Sequence, residues 1–499
     1  MVDIAFSGLL SQGLRGFGTR ITALETGEID GDAFLFAAAG STAGVSSYSI
    51  GSNGRVSLVD QAVYANGTGA FGEAEMLFTD AGGTPRLVTA LHGENGLQLL
   101  DAEETGDFDG PADWVAGSGD ADVDILSLAC IDNLIIAGKR SGGLSVFRME
   151  RDGSVRNLRN AVISLGNLVA LEIVEEYEDY YLVGASSTDN TLVSWRLGEN
   201  GDLTEIGRVG MEDGLGIATP TALTMVTLHG VPYMVVASAD SSSLSVLRIH
   251  ANGQMTATDH VIDDLETRFG GASQVEAIVW GNQTFLAASG ADDGLSLFIM
   301  LDGGRLLHLD SYEDTTDAPL NNVTALAGLA AGAGLQIYTA SETEDQIGTF
   351  EVDLGNFGTV QSGTHLADTL MGTTQDDILV AGGGEDLLTG GHGADLFVFE
   401  PGDGRDTVSD FHADQDSIDL SLVPMLYSLD QVSVHSTATG ALLVFRDMEI
   451  ELRSHDGQSL SAEDLSIKFA AAHMHTGTVS MRDTTAGQIV NGTDSRDRL

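Results

Sequence analysis

Apolar and polar positions along the first 360 residues recur with a period near fifty. A quartet of the form apolar, polar, Ala, Leu, varied in places, begins at Ile21, Ala74, Val123, Leu168, Pro220, Val275 and Val323, with spacings of 53, 49, 45, 52, 55 and 48. A second apolar landmark lies roughly twenty residues further into each unit, at Val45, Leu97, Leu144, Leu192, Leu244, Leu295 and Ile347. Two landmarks sharing one period mark an internal repeat. Between them lie runs such as Tyr233-Met234-Val235-Val236-Ala237-Ser238 and Phe285-Leu286-Ala287-Ala288-Ser289, continuous enough to be strands buried on both faces. Asn53-Gly54, Asp152-Gly153, Asn200-Gly201, Asn252-Gly253 and Asp302-Gly303 suit the positive φ angles of a type I′ turn, and so predict a hairpin between the third and fourth strands of a unit.

Seven units of four short strands can bury their faces against one another only by stacking, and a closed ring leaves no exposed sheet edge. The expected fold is therefore all-β, with a seven-bladed β-propeller over residues 1–360. Residues 1–20 are expected to add a closing strand to the seventh blade, whose own fourth strand near Gly358-Thr359-Val360 looks short. The Leu144-Ser145-Val146-Phe147-Arg148 pattern, with its Asp-Gly turns, resembles the blades of lactonase-like and YVTN-type propellers over about 340 residues. These positions are structural, so the resemblance implies a fold and not an activity.

After the seventh unit the period falls to nine. Asp368, Asp377, Asp386 and Asp395 are nine apart, and each is followed two residues later by an apolar side chain: Leu370, Leu379, Leu388 and Phe397. A Gly-Gly-x-Gly-x-Asp-x-Leu template fits Gly382-Gly383-Gly384-Glu385-Asp386 and Gly390-Gly391-His392-Gly393-Ala394-Asp395 best. Gly363-Thr364 and Gly372-Thr373 replace Gly-Gly in the first two turns, and Gly402-Asp403-Gly404-Arg405-Asp406 forms a fifth. Glycine allows a sharp turn that exposes backbone carbonyls, and Asp adds a carboxylate; stacked turns then offer Ca²⁺ the six to eight hard oxygens it prefers. The pattern resembles the hemolysin-type calcium-binding repeat of RTX proteins. It predicts a parallel β-roll over 361–410 with Asp368, Asp377, Asp386, Asp395, Asp406, Gly382, Gly384, Gly391, Gly393 and Gly404 as the metal-binding positions.

Residues 405–420 resemble the segment that follows such rolls in secreted RTX enzymes. Strands at Ala441-Leu442-Leu443-Val444-Phe445 and Ile450-Glu451-Leu452 then imply a β cap over 411–470, followed by a tail, 471–499. The tail ends Gly492-Thr493-Asp494-Ser495-Arg496-Asp497-Arg498-Leu499, which repeats the spacing of the first two turns.

Charge sharpens this picture. Asp and Glu total 74 against 22 Lys and Arg, for a net charge of −52, and only Lys139 and Lys468 are lysines. Nucleic acid and anionic membrane surfaces are disfavoured as partners, because both draw on clustered basic residues. The 42% hydrophobic content nevertheless sustains folded cores, and such an acidic surface suits a saline external habitat. Between residues 361 and 420 there are thirteen acids and one base, Arg405, so this stretch repels itself until cations bind. Calcium folding after export follows: the roll stays threadable at cytosolic Ca²⁺ and folds at external Ca²⁺. The opening residues have no basic n-region and Asp at position 3, which is not a Sec signal. With the RTX resemblance, this implies leaderless type I secretion from a Gram-negative bacterium, the secretion machinery being a partner. No stretch is apolar enough to span a bilayer as a helix.

Catalytic signatures are absent. No Ser-His-Asp, His-Glu-x-x-His or phosphate-loop pattern occurs. The second place of each quartet reads Thr22, Glu75, Asp124, Val169, Thr221, Glu276 and Thr324. If the quartet is the innermost strand, these side chains ring the central channel, where Glu75, Asp124 and Glu276 either form a polar wall or converge to hold a cation or act as acid and base. Two readings follow: a secreted calcium-binding protein whose propeller is a recognition platform for a protein, glycan or small molecule, or a secreted lactonase-like hydrolase using the channel. His473-Met474-His475 is a weak chelating pattern. Arg148, Arg196 and Arg248 recur at blade period and are assigned to structural pairing. The single cysteine, Cys130, is expected to be a small buried hydrophobe.

Overall fold

The computed structural model describes residues 2–469, apart from residues 11–20, 40–43, 65–73, 81–83, 93–95, 111–112, 117–123, 141, 151–153, 162, 177–178, 319, 343–345 and 403. Asp152-Gly153, Asp403, His473, His475 and the terminal repeat from Gly492 therefore lie outside the described residues.

Seven four-stranded antiparallel sheets form a β-propeller. In blade 1 the order is Ile21–Ile29, Asp32–Ala39, Gly44–Ile50 and Val56–Val63, and blades 2 to 6 repeat this meander. Six of the quartets fall within a blade's first strand, the third runs into Ile125–Ile131 from Val123, which lies outside the described residues, and the first strands contact one another around the ring, the first meeting the seventh. The seventh blade is completed by the other end of the chain. Ile4–Leu10 pairs antiparallel with Ile347–Asp353, Ile4 opposite Val352 and Leu10 opposite Ile347. Phe357–Ser362, expected as that blade's short fourth strand, instead pairs in parallel with Asp376–Val380 in a different sheet.

Neighbouring blades bury apolar layers between them, for example Ile136 and Val146 of blade 3 against Leu182, Val193 and Trp195 of blade 4. Removing each such side chain from water contributes about 1.5–3 kcal/mol. A second device ties the blades. Thr22 Oγ1 accepts the Ala74 N–H (2.9 Å), and the hydroxyls of Ser127, Thr221, Ser273 and Thr324 donate to Leu168, Ala272, Val323 and Ile21 carbonyls at 2.8–3.0 Å. In blades 1, 4, 5 and 7 a bulge in the inner strand sits at the quartet's second place, between Ile21 and Ala23 in blade 1. The bulge takes Thr22, Thr221 and Thr324 out of the ladder and turns them to the next blade.

The hairpin turns differ from expectation. Gly54, Gly201, Gly253 and Gly303 have positive φ, but Asn53, Asn200, Asn252 and Asp302 do not. The Gly54, Gly201 and Gly253 N–H groups bond back to Gly51, Gly198 and His250. This is a turn followed by one left-handed glycine, which needs one positive φ where type I′ needs two.

Beyond residue 357 the chain winds between two parallel sheets. One contains Phe357–Ser362, Asp376–Val380, Leu396–Val398, Ser417–Asp419 and Ser466–Lys468. The other contains Thr369–Met371, Leu387–Thr389, Arg405–Phe411 and Met448–Ser454, extended antiparallel by Gly440–Phe445 and Ser433–Thr437. Leu370 pairs with Leu388 and Leu379 with Phe397, so two nine-residue repeats complete one circuit. Leu379, Leu388 and Phe397 point inward to a core with Phe399, Phe411 and Ile450. On the outer face of the first sheet, Phe357, Ile378, Val380, Leu396 and Val398 share a hydrophobic cluster with Phe285, Leu297 and Phe350 of blades 6 and 7. Both faces of that sheet are therefore covered.

Candidate functional site

Two groups of polar side chains stand apart from the apolar cores. The first runs along the parallel sheets. Gly382, Gly384, Gly391, Gly393 and Gly404 all have φ between 81° and 127°, where only glycine is unstrained. Space is equally decisive: a Cβ on Gly391 would lie 2.2 Å from the Thr373 carbonyl oxygen, and one on Gly393 2.3 Å from that of Gln375. The turns stack backbone to backbone.

From Asp377 onwards, each Asp of the repeat is tied to the turn one circuit before it. Asp386 Oδ1 accepts the Asp368 N–H (2.7 Å), Asp395 Oδ1 that of Asp377 (2.9 Å), and Asp406 Oδ1 that of Asp386 (3.0 Å). Asp416 continues the ladder, accepting the Asp395 and His412 N–H groups; the spacing missed it because its turn departs from nine residues. Asp377, Asp386, Asp395, Asp406 and Asp416 are buried, and Asp368 is half-buried. The second oxygens of Asp386 and Asp395 are enclosed and have no hydrogen-bond partner. Burial, and secondarily neighbouring carboxylates, pushes Asp395 up to about 7 and Asp406 and Asp416 to about 6, and raises Asp386. Asp368 is instead lowered by hydrogen bonds from Thr364.

The second group lines the propeller channel. At one mouth a cavity of 540 Å³ is bordered by residues of all seven blades, among them Thr22, Glu75, Val169, Thr221 and Thr324. Glu75, Asp124 and Glu276 do not come together. Glu75 lies 3.5 Å from His92, and Asp124 forms an ion pair with Arg140. Glu276 interacts instead with Glu25 and Glu172 of blades 1 and 4. Among the described residues no three His, Cys, Asp or Glu side chains group as a metal cluster.

Glu25, Glu172 and Glu276 are packed round by protein while keeping partial access to the channel. Burial first raises Glu25 to about 8, Glu172 to about 7 and Glu276 well above its ordinary value. Mutual repulsion adds to the rise for Glu25 and Glu276, and backbone hydrogen bonds offset part of it for all three. Glu25 and Glu172 sit one place beyond the quartet, in bulged strands, whereas the Glu276 strand has no bulge. The isolated glutamates after Leu24 and Leu171 were the available signal.

The periodic arginines are structural where contacts define them: Arg196 pairs with Asp179, and Arg148 donates to the Glu199 carbonyl of the next blade. Cys130 is only half-buried, its Sγ 3.5 Å from Thr79 Oγ1, and burial raises its thiol.

No family model matches the chain, and neither does any curated protein. Among solved structures it is similar to the periplasmic gluconolactonase PpgL of Pseudomonas aeruginosa, at 15% identity and TM-score 0.46 over 58% of this chain and 85% of that one. A putative 6-phosphogluconolactonase from Bacteroides fragilis gives 14% identity and TM-score 0.47 over 61% and 85%. The WD40 repeats of RRP9 give 14% and 0.49 over 70% and 97%. Such distant likenesses concern the propeller fold, which all these chemistries and assemblies share.

Proposed function

We propose that residues 361–410 form an RTX-type calcium roll closed by a cap over 411–470, and that the chain is an exported calcium-binding protein whose propeller, 1–360, is a recognition platform. The observation that carries this reading is the pair of enclosed, partnerless oxygens on Asp386 and Asp395. A buried carboxylate oxygen without a donor is costly, and such groups are ordinarily paired or bound to a metal. The surroundings fit a hard cation: stacked glycine turns bring backbone carbonyls close, and among the described residues no amine or guanidinium pairs with Asp386 or Asp395. When bound, Ca²⁺ supplies the positive charge that thirteen acids and one base lack.

Metal affinity then becomes folding free energy. This supports passage of an unfolded segment through a type I exporter of a Gram-negative cell, followed by folding in external calcium. Isothermal titration of the metal-depleted full chain with CaCl₂ tests the binding. Saturable uptake of at least two ions per chain is expected, and no binding above buffer in the millimolar range would refute the reading.

A second reading, a hydrolase working at the channel mouth, is favoured by the juxtaposition of Glu75 and His92 at the 540 Å³ cavity. A carboxylate that orients an imidazole equips it as a general base. Under this reading the protein hydrolyses lactones, phosphoesters or glycans, and His92→Ala abolishes turnover while leaving calcium uptake intact. Absence of turnover across that panel, with Ca²⁺ present, would remove it.

A further inference from the structure

The four aspartates spaced nine residues apart do not share one environment. In the first two turns a threonine stands where the template has its second glycine. Asp368 Oδ2 accepts both the N–H (2.6 Å) and the O–H (2.8 Å) of Thr364. Asp377 is held more completely: Oδ2 accepts the N–H and O–H of Thr373, and Oδ1 accepts the N–H (2.6 Å) and O–H (3.1 Å) of Thr359. Asp377 is 1% exposed, yet neither oxygen lacks a donor.

The two glycine-rich turns are different. Asp386 and Asp395 are each 2% exposed, each spends Oδ1 on the N–H one circuit earlier, and each leaves Oδ2 enclosed with no partner. In the Asp395 turn the place matching Thr364 and Thr373 is Gly391, which has no hydroxyl to offer, and Asp395 Oδ2 folds back over Gly390, 2.2 Å from where a Cβ on that glycine would stand. The matching place in the Asp386 turn is Gly382. Asp377, whose two oxygens already accept from Thr359 and Thr373, and Asp368, whose Oδ2 accepts twice from Thr364 and which is partly open to solvent, gain little from a cation, which would have to displace those hydrogen bonds. One with a buried vacant oxygen gains most.

We propose that the chain divides its repeat by this one substitution: Asp386 and Asp395 each carry a Ca²⁺ ion, whereas Thr364 and Thr373 take the ion's place on Asp368 and Asp377. The first circuit is thereby a metal-independent starter, folded on the propeller side by its own hydroxyl and amide donors. The ions enter at the following circuit. Phe357 and Ile378, which pack on blades 6 and 7, belong to the starter circuit, and Leu396 and Val398 of the Asp395 turn extend the same seam. This inference rests on the calcium reading above and refines which residues serve it.

The test counts ions. Calcium bound per chain is measured on the full-length protein by equilibrium dialysis with elemental analysis, for the parent and for Asp368→Asn, Asp377→Asn, Asp386→Asn and Asp395→Asn. Far-UV circular dichroism at saturating Ca²⁺ verifies that each variant is folded. Asp386→Asn and Asp395→Asn should each lose one ion, and Asp368→Asn and Asp377→Asn none. Loss of an ion from either threonine-turn variant, or full retention in both glycine-turn variants, overturns the inference while leaving calcium binding itself intact. A parent that binds no calcium overturns the calcium reading instead. Should a glycine-turn variant fail to fold, Thr373→Gly, which removes the hydroxyl that Asp377 Oδ2 accepts from, is the converse variant and should add one ion, with an unchanged count weighing against the inference.

Discussion

Phe357→Ala probes whether the propeller and the parallel sheets are one mechanical unit. Phe357 is 6% exposed and meets Phe285 edge-on at 5.6 Å and Trp280 at 6.1 Å between ring centroids. Its ring lies in the cluster joining blades 6 and 7 to Ile378 and Val380. Truncating a buried Phe to Ala costs about 3–5 kcal/mol through lost transfer energy and the cavity left behind. The aromatic pairs place it towards the upper half of that range. With an m-value near 3 kcal/mol/M in urea, the midpoint should fall by about 1.3–1.7 M. All three tryptophans, Trp114, Trp195 and Trp280, precede residue 357, so tryptophan fluorescence reports on the propeller alone. Trp195 is buried in blade 4, away from the seam. Urea titration of parent and variant in saturating Ca²⁺ should therefore show the propeller transition moving with the mutation. A transition that shifts by less than about 0.3 M would refute the shared core as a source of propeller stability.

Three further outcomes follow from the same contacts. Glu25, Glu172 and Glu276 have raised values in the folded state, so the folded chain retains protons that the unfolded chain releases above its ordinary value of 4.5. Their contribution is complete below that pH and is lost as pH rises towards about 8. Glu276→Gln should raise the melting temperature at pH 8.5 relative to pH 5 and flatten the profile between them; an unchanged profile would refute the coupling. Thr324→Val removes the hydroxyl bonded to the Ile21 carbonyl that links blades 7 and 1. It should cost about 0.5–1.5 kcal/mol in urea unfolding, and a neutral result would show the link to be idle. Gly391→Ala forces a Cβ to 2.2 Å from the Thr373 oxygen at φ 101°. A cost of at least about 1–3 kcal/mol is expected from the strained backbone alone, read as a lower melting temperature in Ca²⁺, and a parent-like melting temperature would contradict the close stacking of turns.

Much of the propeller was legible because its code is repetitive. Leu144, Leu192 and Leu244 mark the same third-strand place in successive blades, and burial between blades demands an apolar residue there every time. What was not legible depends on single-residue offsets. A bulge beside Thr22 or Val169 shifts the following residues by one place, and Glu25 and Glu172, one place beyond the quartet, accompany Glu276 in the channel. The polar second places of the quartets read as a possible binding ring, but Thr22, Thr221 and Thr324 are committed to neighbouring blades. The closing strand was anticipated in the first twenty residues, whereas Phe357–Ser362 was drawn away from the ring by a parallel partner far along the chain. The nine-residue spacing identified the aspartates without ranking them. Their difference lies in whether a threonine or a glycine stands four places earlier, and in what that residue donates.

Calcium-dependent folding of the repeat is tested most directly by hydrogen–deuterium exchange of the intact chain, followed by peptide mass spectrometry, in excess EGTA and in millimolar Ca²⁺. Amides of Leu387–Thr389, Leu396–Val398 and Arg405–Phe411 should be strongly protected in Ca²⁺ and exchange rapidly without it, while the strands of blades 3 to 5 stay protected in both. Equal protection of those three strands in EGTA and in Ca²⁺ would contradict it.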